Sequence, residues 1–180
     1  MSGKPAVERT ALRSERVHAS EPERIALRIE RVHASELERL ALCLEIRREV
    51  FVRGQGVCEA EEIDGLDAAC RHYLAWSGTE PVGTARLRST PAGAKAERVA
   101  VRAPWRGVGV GAALMRELEE DARRAGRAQV VLNAQLAALA FYERLGYVAE
   151  GDVFDEAGIP HRRMRRALAG PKAPGARLRS

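Results

Sequence analysis

Along residues 37–51 the positions Leu37, Leu40, Ala41, Leu44, Arg47, Arg48 and Phe51 recur at three- and four-residue steps, which predicts one amphipathic helix ending near Gly54. Before it, residues from Ile25 to Val32 alternate well enough for an opening strand. Residues 54–67 read as a polar, acidic loop. Short alternating runs at His72–Trp76 and Val82–Leu87, separated by the turn residues Ser77 to Pro81, predict two strands, and Ala96–Val101 predicts a third. Helical spacing resumes after Pro104 through Val110, Ala113, Leu114, Leu118 and Ala122 and stops at Gly126. Ala128–Asn133 is apolar enough for a buried strand. Gln135–Leu145 reads as a short helix closed by Gly146, and Tyr147–Phe154 and His161–Arg166 supply the last strands. The order predicts an α/β (α+β) fold, a mixed sheet with helices on its faces.

One short repeat interrupts this pattern. Arg16-Val17-His18-Ala19-Ser20-Glu21 recurs as Arg31-Val32-His33-Ala34-Ser35-Glu36, 15 residues on. Two copies are too few for a solenoid. Only the second runs into the long apolar pattern, so residues 1–22 are expected to form a loose tail with a partial duplication, 23–168 the domain, and 169–180 a disordered basic tail.

Composition narrows the class. At 180 residues, with 46% apolar and 31% charged positions, the chain suits one compact domain. No apolar run approaches the roughly 18 to 20 residues of a membrane helix, so no membrane partner and a cytoplasmic location are expected. Cys43, Cys58 and Cys70 match no zinc or redox spacing and read as reduced thiols; no metal is expected. The net charge of +5 comes from the end of the chain: residues 161–180 hold seven basic residues and no acid, leaving 23 basic against 25 acidic before them. The body is not basic, so no nucleic-acid partner is expected.

The candidate chemistry starts at Arg106-Gly107-Val108-Gly109-Val110-Gly111-Ala112, a glycine-rich turn opening a helix. The first N–H groups of a helix lack intrahelical partners and sit at the positive end of the macrodipole, so such a turn suits an anion. A phosphate loop would need a following Lys and Ser or Thr, and none is present. A dinucleotide fingerprint would place its glycines directly after a strand and an acid at the end of the next one. Here Arg102-Ala103-Pro104-Trp105-Arg106 intervenes, and the next strand ends in Asn133.

Arg98-Val99-Ala100-Val101, the glycine-rich turn, and Phe141-Tyr142-Glu143-Arg144-Leu145-Gly146-Tyr147 stand in an order and spacing that resembles the GNAT acetyltransferase superfamily over about residues 25–166. Arg48-Glu49-Val50-Phe51-Val52, Glu62-Ile63-Asp64-Gly65-Leu66-Asp67, Val82-Gly83-Thr84-Ala85-Arg86-Leu87, Ala134-Gln135 and Gly158-Ile159-Pro160-His161 resemble its bacterial ElaA-like and YjcF-like branch. The resemblance implies a mostly antiparallel sheet that splays between its fourth and fifth strands, helices on both faces, and acetyl-CoA as acyl donor. It implies that backbone groups of Val99 and Val101 bind the pantetheine arm, within reach of Gln135, and that Ala100, Asn133, Ala138, Phe141 and Tyr142 also belong to the cofactor site, although Phe141 also reads as helix packing. The pyrophosphate would meet the amides of Arg106, Gly107, Val108, Gly109, Val110, Gly111 and Ala112. Gln135 stands where many members of the superfamily carry Asn.

Acyl transfer from a thioester to an amine needs a donor for the growing oxyanion, a proton for the leaving sulfur and an exit for the amine proton. The Val101 N–H is the candidate for the first and Tyr142 for the second. For the third, Glu62 and His161 lead, with Asp64, Asp67 and His72 behind them. Each of these acids and histidines has an ordinary structural reading, and Trp76 and Trp105 read as packing residues. The acceptor is expected to be a small-molecule or peptide amine. A non-catalytic acetyl-CoA sensor is the alternative, and an unpaired edge at the C-terminal strand would admit a homodimer.

Overall fold

A computed structural model describes residues 26–168. The expected tails at 1–22 and 169–180, the first copy of the repeat and Ile25 lie outside the described residues. The chain runs β1 (Leu27–Val32), α1 (Leu37–Arg47), α2 (Glu59–Glu62), β2 (Arg71–Ser77), β3 (Glu80–Thr90), β4 (Gly93–Val101), α3 (Val110–Arg124), β5 (Gln129–Gln135), α4 (Leu139–Arg144), β6 (Val148–Glu156) and β7 (Ile159–Ala167). The seven strands form one sheet in the order β1-β2-β3-β4-β5-β7-β6, with every pairing antiparallel except β4 with β5. That parallel pair joins only at Ala94–Val130 and Lys95–Val131. Beyond those residues the strands part, leaving the splay that positions the site.

Strand alternation sorts the core onto two faces. Tyr73 and Ala75 of β2 pack with Leu114, Met115, Leu118 and Ala122 of α3. Leu74 and Trp76, one residue out of phase, pack with Cys43 and Ile46 of α1. Helices therefore cover both faces. α1 lies on β2, β3 and β4, whereas α3 and α4 reach β5 from the other side.

Five features differ from the sequence reading. The first helix continues past Arg47 as a wider π-helical turn over Arg48–Arg53. The acidic loop contains α2, a single turn too short to show a period. The β3–β4 hairpin is longer at its turn end than apolar alternation indicates, because Arg86, Arg88, Lys95 and Glu97 are strand residues that satisfy one another by ion pairing. Gln135 ends β5 rather than opening a helix, and a 3₁₀ turn at Leu136–Ala138 precedes α4. The sheet edges are β1 and β6, not the C-terminal strand: the β6–β7 hairpin folds back so that β7 inserts beside β5. Among the described residues no helix is long and apolar enough to cross a membrane.

Candidate active site

A cavity of about 880 Å³ opens where β4 and β5 part. One side of it is made of backbone. After β4 the chain turns through Gly107 (φ 80°) and Gly109 (φ 94°) into α3, and Gly109 is the N-cap. Both glycines occupy the left-handed region, which a side chain disfavours. A Cβ at either would meet open space within 4 Å, so conformation rather than crowding requires glycine there. Gly111 is different: a Cβ would lie 3.1 Å from Phe141 Cζ, so its glycine lets α4 close on α3. No side chain caps α3. Its first amides therefore remain available to an anion, and the cavity lining here includes Arg106 and Arg144.

The register of β4 aims its last residue into the splay. Gly83 lies opposite Val101, while the Arg102 N–H donates to Val82 O at 3.0 Å. That bond flanks a pair of residues that do not bond to each other, so the Val101 N–H and C=O turn away from β3 toward the gap. Arg106 Nε takes the carbonyl at 3.0 Å, and the N–H faces the cavity. Tyr142 of α4 lines the same cavity, its ring edge-on to Phe141 with centroids 4.8 Å apart. Burial pushes its phenol well above the usual tyrosine range. It therefore stays protonated at neutral pH and able to donate.

The opposite side is made of charged side chains. Arg47 and Arg86, each 1% exposed, stand on the α1 face of the sheet. Arg47 pairs with Glu62 through Nε, bonds Asp67 at 2.6 Å and donates to the Glu62 carbonyl at 2.6 Å. Arg86 forms a two-pronged contact with Asp64 (2.6 and 2.8 Å) and reaches Asp67 at 3.0 Å and Glu97 at 2.8 Å. Arg98 sits at a bulge between β3 and β4 with φ 54°, a strained value for a residue with a side chain. Its guanidinium donates to Glu61 O at 2.8 Å and pairs with Glu62 at 3.0 Å, tying the bulge before Val99 to the acidic segment.

His161 completes this side. Its Nδ1 lies 2.7 Å from Ile159 O. A carbonyl can only accept, so Nδ1 carries the proton and, in the neutral ring, Nε2 holds the lone pair. Phe154 stacks on the imidazole at 6.2 Å.

Of the residues singled out in the sequence, Val99, Val101, Arg106, Gly107, Gly109, Val110, Gly111, Ala112, Asn133, Gln135, Ala138, Phe141, Tyr142, Glu62, Asp64 and His161 line this one cavity. Ala100 does not: its place opposite Thr84 commits its backbone to β3, and its methyl packs in the α1-side core. Val108 does not either, and its side chain is 44% exposed. His72 is fully buried, with Nε2 2.9 Å from Asp67 O. Asp67 belongs to the ion network. Trp76 is buried against Arg28, Arg39 and Glu30, as a packing residue should be, whereas Trp105 lines the cavity and donates to Glu80. The sequence reading passed over Gln55 and Glu156, and took Arg98 only as part of a motif, with no role of its own. Positive φ at Arg98 leaves no mark in composition, and Gln55 and Glu156 reach partners on β5.

A helix start with open amides, a splayed strand pair with a free amide and an inward phenol fit an acyltransferase that uses a nucleotide thioester. Residues 49–168 match the family model described as "Acetyltransferase (GNAT) domain". Among relatives, YjcF of Bacillus subtilis, named an uncharacterized N-acetyltransferase, is 41% identical over 120 residues, covering 66% of this chain and 86% of that protein. Among solved structures, Escherichia coli ElaA superposes with a TM-score of 0.70 at 31% identity, covering 78% of this chain and 99% of that one. An acyl-CoA N-acyltransferase from Pseudomonas aeruginosa does so with a TM-score of 0.70 at 33% identity, covering 79% and 100%. The chain belongs to the GNAT acetyltransferases, enzymes whose acyl donor is acetyl-CoA.

Proposed function

We propose that this enzyme acetylates a primary amine by direct attack on acetyl-CoA in a ternary complex, with the Val101 N–H, Tyr142 and His161 in distinct roles. The observation that carries this reading is the Val101 N–H turned out of the sheet into a cavity that Tyr142 also lines. The open amides of α3 and the guanidinium of Arg144 suit the pyrophosphate, and the gap between β4 and β5 suits the pantetheine arm. Acetyl-CoA supplies the thioester. As the amine attacks, negative charge grows on the carbonyl oxygen, where a fixed donor is worth about 3 kcal/mol. The Val101 N–H supplies that donor. A protonated Tyr142 gives the departing sulfur its proton.

The amine must reach the thioester neutral. Nε2 of His161 has the free lone pair to accept its proton, directly or through water. Glu62 is less available to take that proton, because Arg47 and Arg98 already hold its carboxylate.

Replacing Tyr142 with Phe removes only the hydroxyl. Turnover should fall by about tenfold to a hundredfold while acetyl-CoA affinity holds. Steady-state release of free thiol, alongside calorimetric titration with acetyl-CoA, measures both, and unchanged turnover would remove the acid role.

A further inference from the structure

Most carboxylates around the cavity are already matched by the protein's own cations. Glu62 lies against Arg47 and Arg98, Asp64 against Arg86 and Arg98, and Glu97 against Arg86, Arg88 and Lys95. Glu156 and Glu61 also line the cavity, and neither forms a side-chain ion pair among the described residues. Glu156 is nonetheless held in place. It ends β6 at the two-residue turn Ala157–Gly158, whose φ values of 56° and 73° are both left-handed, as the tightest hairpins require. Ala157 accepts that strain, and Asp155 braces the turn by accepting the Gly158 N–H at 3.0 Å.

Strand alternation puts Asn133, Gln135 and His161 on one face of the β5–β7 pair, opposite the face where Leu132, Ala134 and Met164 join the α3 core. Glu156 reaches across β7 on that polar face and accepts a 2.9 Å hydrogen bond from Asn133 Nδ2 to Oε2. Oε1 has no hydrogen-bond partner among the described residues. Two residues back on the same face, Phe154 stacks on His161. Glu156 and His161 stand two residues out of step on adjacent strands, roughly 7 Å apart along the strand direction, and both line the one cavity.

A carboxylate resting on the attacking nitrogen would hold its proton and slow the reaction. An unpaired carboxylate in the same cavity as His161 instead matches a cation that stays charged throughout. We propose that Glu156, oriented by Asn133, anchors the distal ammonium of a diamine or polyamine acceptor while the proximal amine meets His161. Glu61 adds to the same field, and both acids repel an acceptor that carries its own carboxylate. The proposal rests on the acetyltransferase reading of this cavity.

Thiol release with acetyl-CoA and putrescine, spermidine, butylamine or glycine tests it. Putrescine should exceed butylamine in kcat/KM by about tenfold or more, with glycine poorest. Glu156→Gln should bring that ratio to about one through KM, Glu156→Asp should recover part of it, and added salt should erode it in the parent enzyme. Calorimetric binding of acetyl-CoA checks that the variants are folded; if they are not, the ratio and its salt dependence in the parent enzyme decide. Equal use of putrescine and butylamine overturns the anchor and leaves the acetyltransferase reading standing, as does a preference that survives Glu156→Gln in a folded variant. Acetylation of none of the amines, with no acetyl-CoA binding, overturns both.

Discussion

The two sides of the cavity are made of different materials. The side proposed for the donor is backbone: the start of α3, two glycines in the left-handed region and an amide turned out of β4. The side proposed for the acceptor is side chain: Arg47, Arg86 and Arg98 clamp Glu62, Asp64, Asp67 and Glu97 into a fixed layer beneath α1, and Glu156 and His161 stand beyond it. Backbone groups present one chemistry whatever the sequence between them, which suits a donor common to a whole family. Side chains can be exchanged singly, which suits acceptors that differ. The ionic layer is also costly to desolvate, so its charges stabilise only while each keeps its partners.

The sharpest way to break this contrast is to remove the central cation. Arg86→Met would leave Asp64, Asp67 and Glu97 short of a partner in a buried layer. The expected loss is about 3 to 5 kcal/mol of folding stability, as for other broken buried pairs. Urea denaturation followed by circular dichroism measures it, and a loss below about 1 kcal/mol would show that the layer is not held by charge.

Acid probes the same layer without a mutation. Burial alone would raise the Glu97 carboxyl, but hydrogen bonds from Arg88 and Lys95 outweigh it and bring its pKa to about 2 from an ordinary 4.5. Arg86 likewise holds Asp64 well below the usual carboxylate range. A carboxyl whose pKa is lower in the folded state stabilises the fold fully above its unfolded pKa and loses that contribution as pH falls toward the folded one. Stability should therefore hold down to about pH 5 and then drop, by about 2 kcal/mol at pH 3 from Glu97 alone. Urea midpoints at pH 7 and pH 3 report it, and a flat profile would contradict the depressed carboxyls.

The same division explains what the sequence made legible. Gly107, Gly109 and the Phe141-Tyr142 pair are local signals: the helix start follows from the glycines directly, and the splay and the inward phenol follow from the family resemblance that these residues carry. The long helices and most strands are equally local, because Leu114, Leu118 and Ala122 keep a helical period over their whole length. The ionic layer was hidden because its partners are distant: Arg47 meets Glu62 15 positions on, and Arg86 meets Asp64 22 positions back. The acids of residues 62–67 therefore looked like a solvated loop with candidate bases. Extra strand length at Arg88 and Lys95 was masked for the same reason, since charged residues in a strand look like a turn until their partners are known. Glu156 could be found only once β7 was placed between β5 and β6, which lets its carboxylate meet Asn133.

The smallest expected effect falls on the donor side, and its pattern matters more than its size. In Gly109→Ala the new methyl meets nothing within 4 Å, so the change acts only through φ 94°. An alanine there costs about 1 to 2 kcal/mol if the turn is kept. A turn that relaxes instead swings the first amides of α3 away from the place proposed for the phosphates. Either way stability should fall by no more than about 2 kcal/mol, while the KM for acetyl-CoA rises severalfold and that for the amine changes less. Steady-state kinetics with each substrate varied in turn separates the two. A rise confined to the amine KM would mean that the glycine turn does not serve the donor, and the division between a backbone side and a side-chain side would fail where it is most easily read.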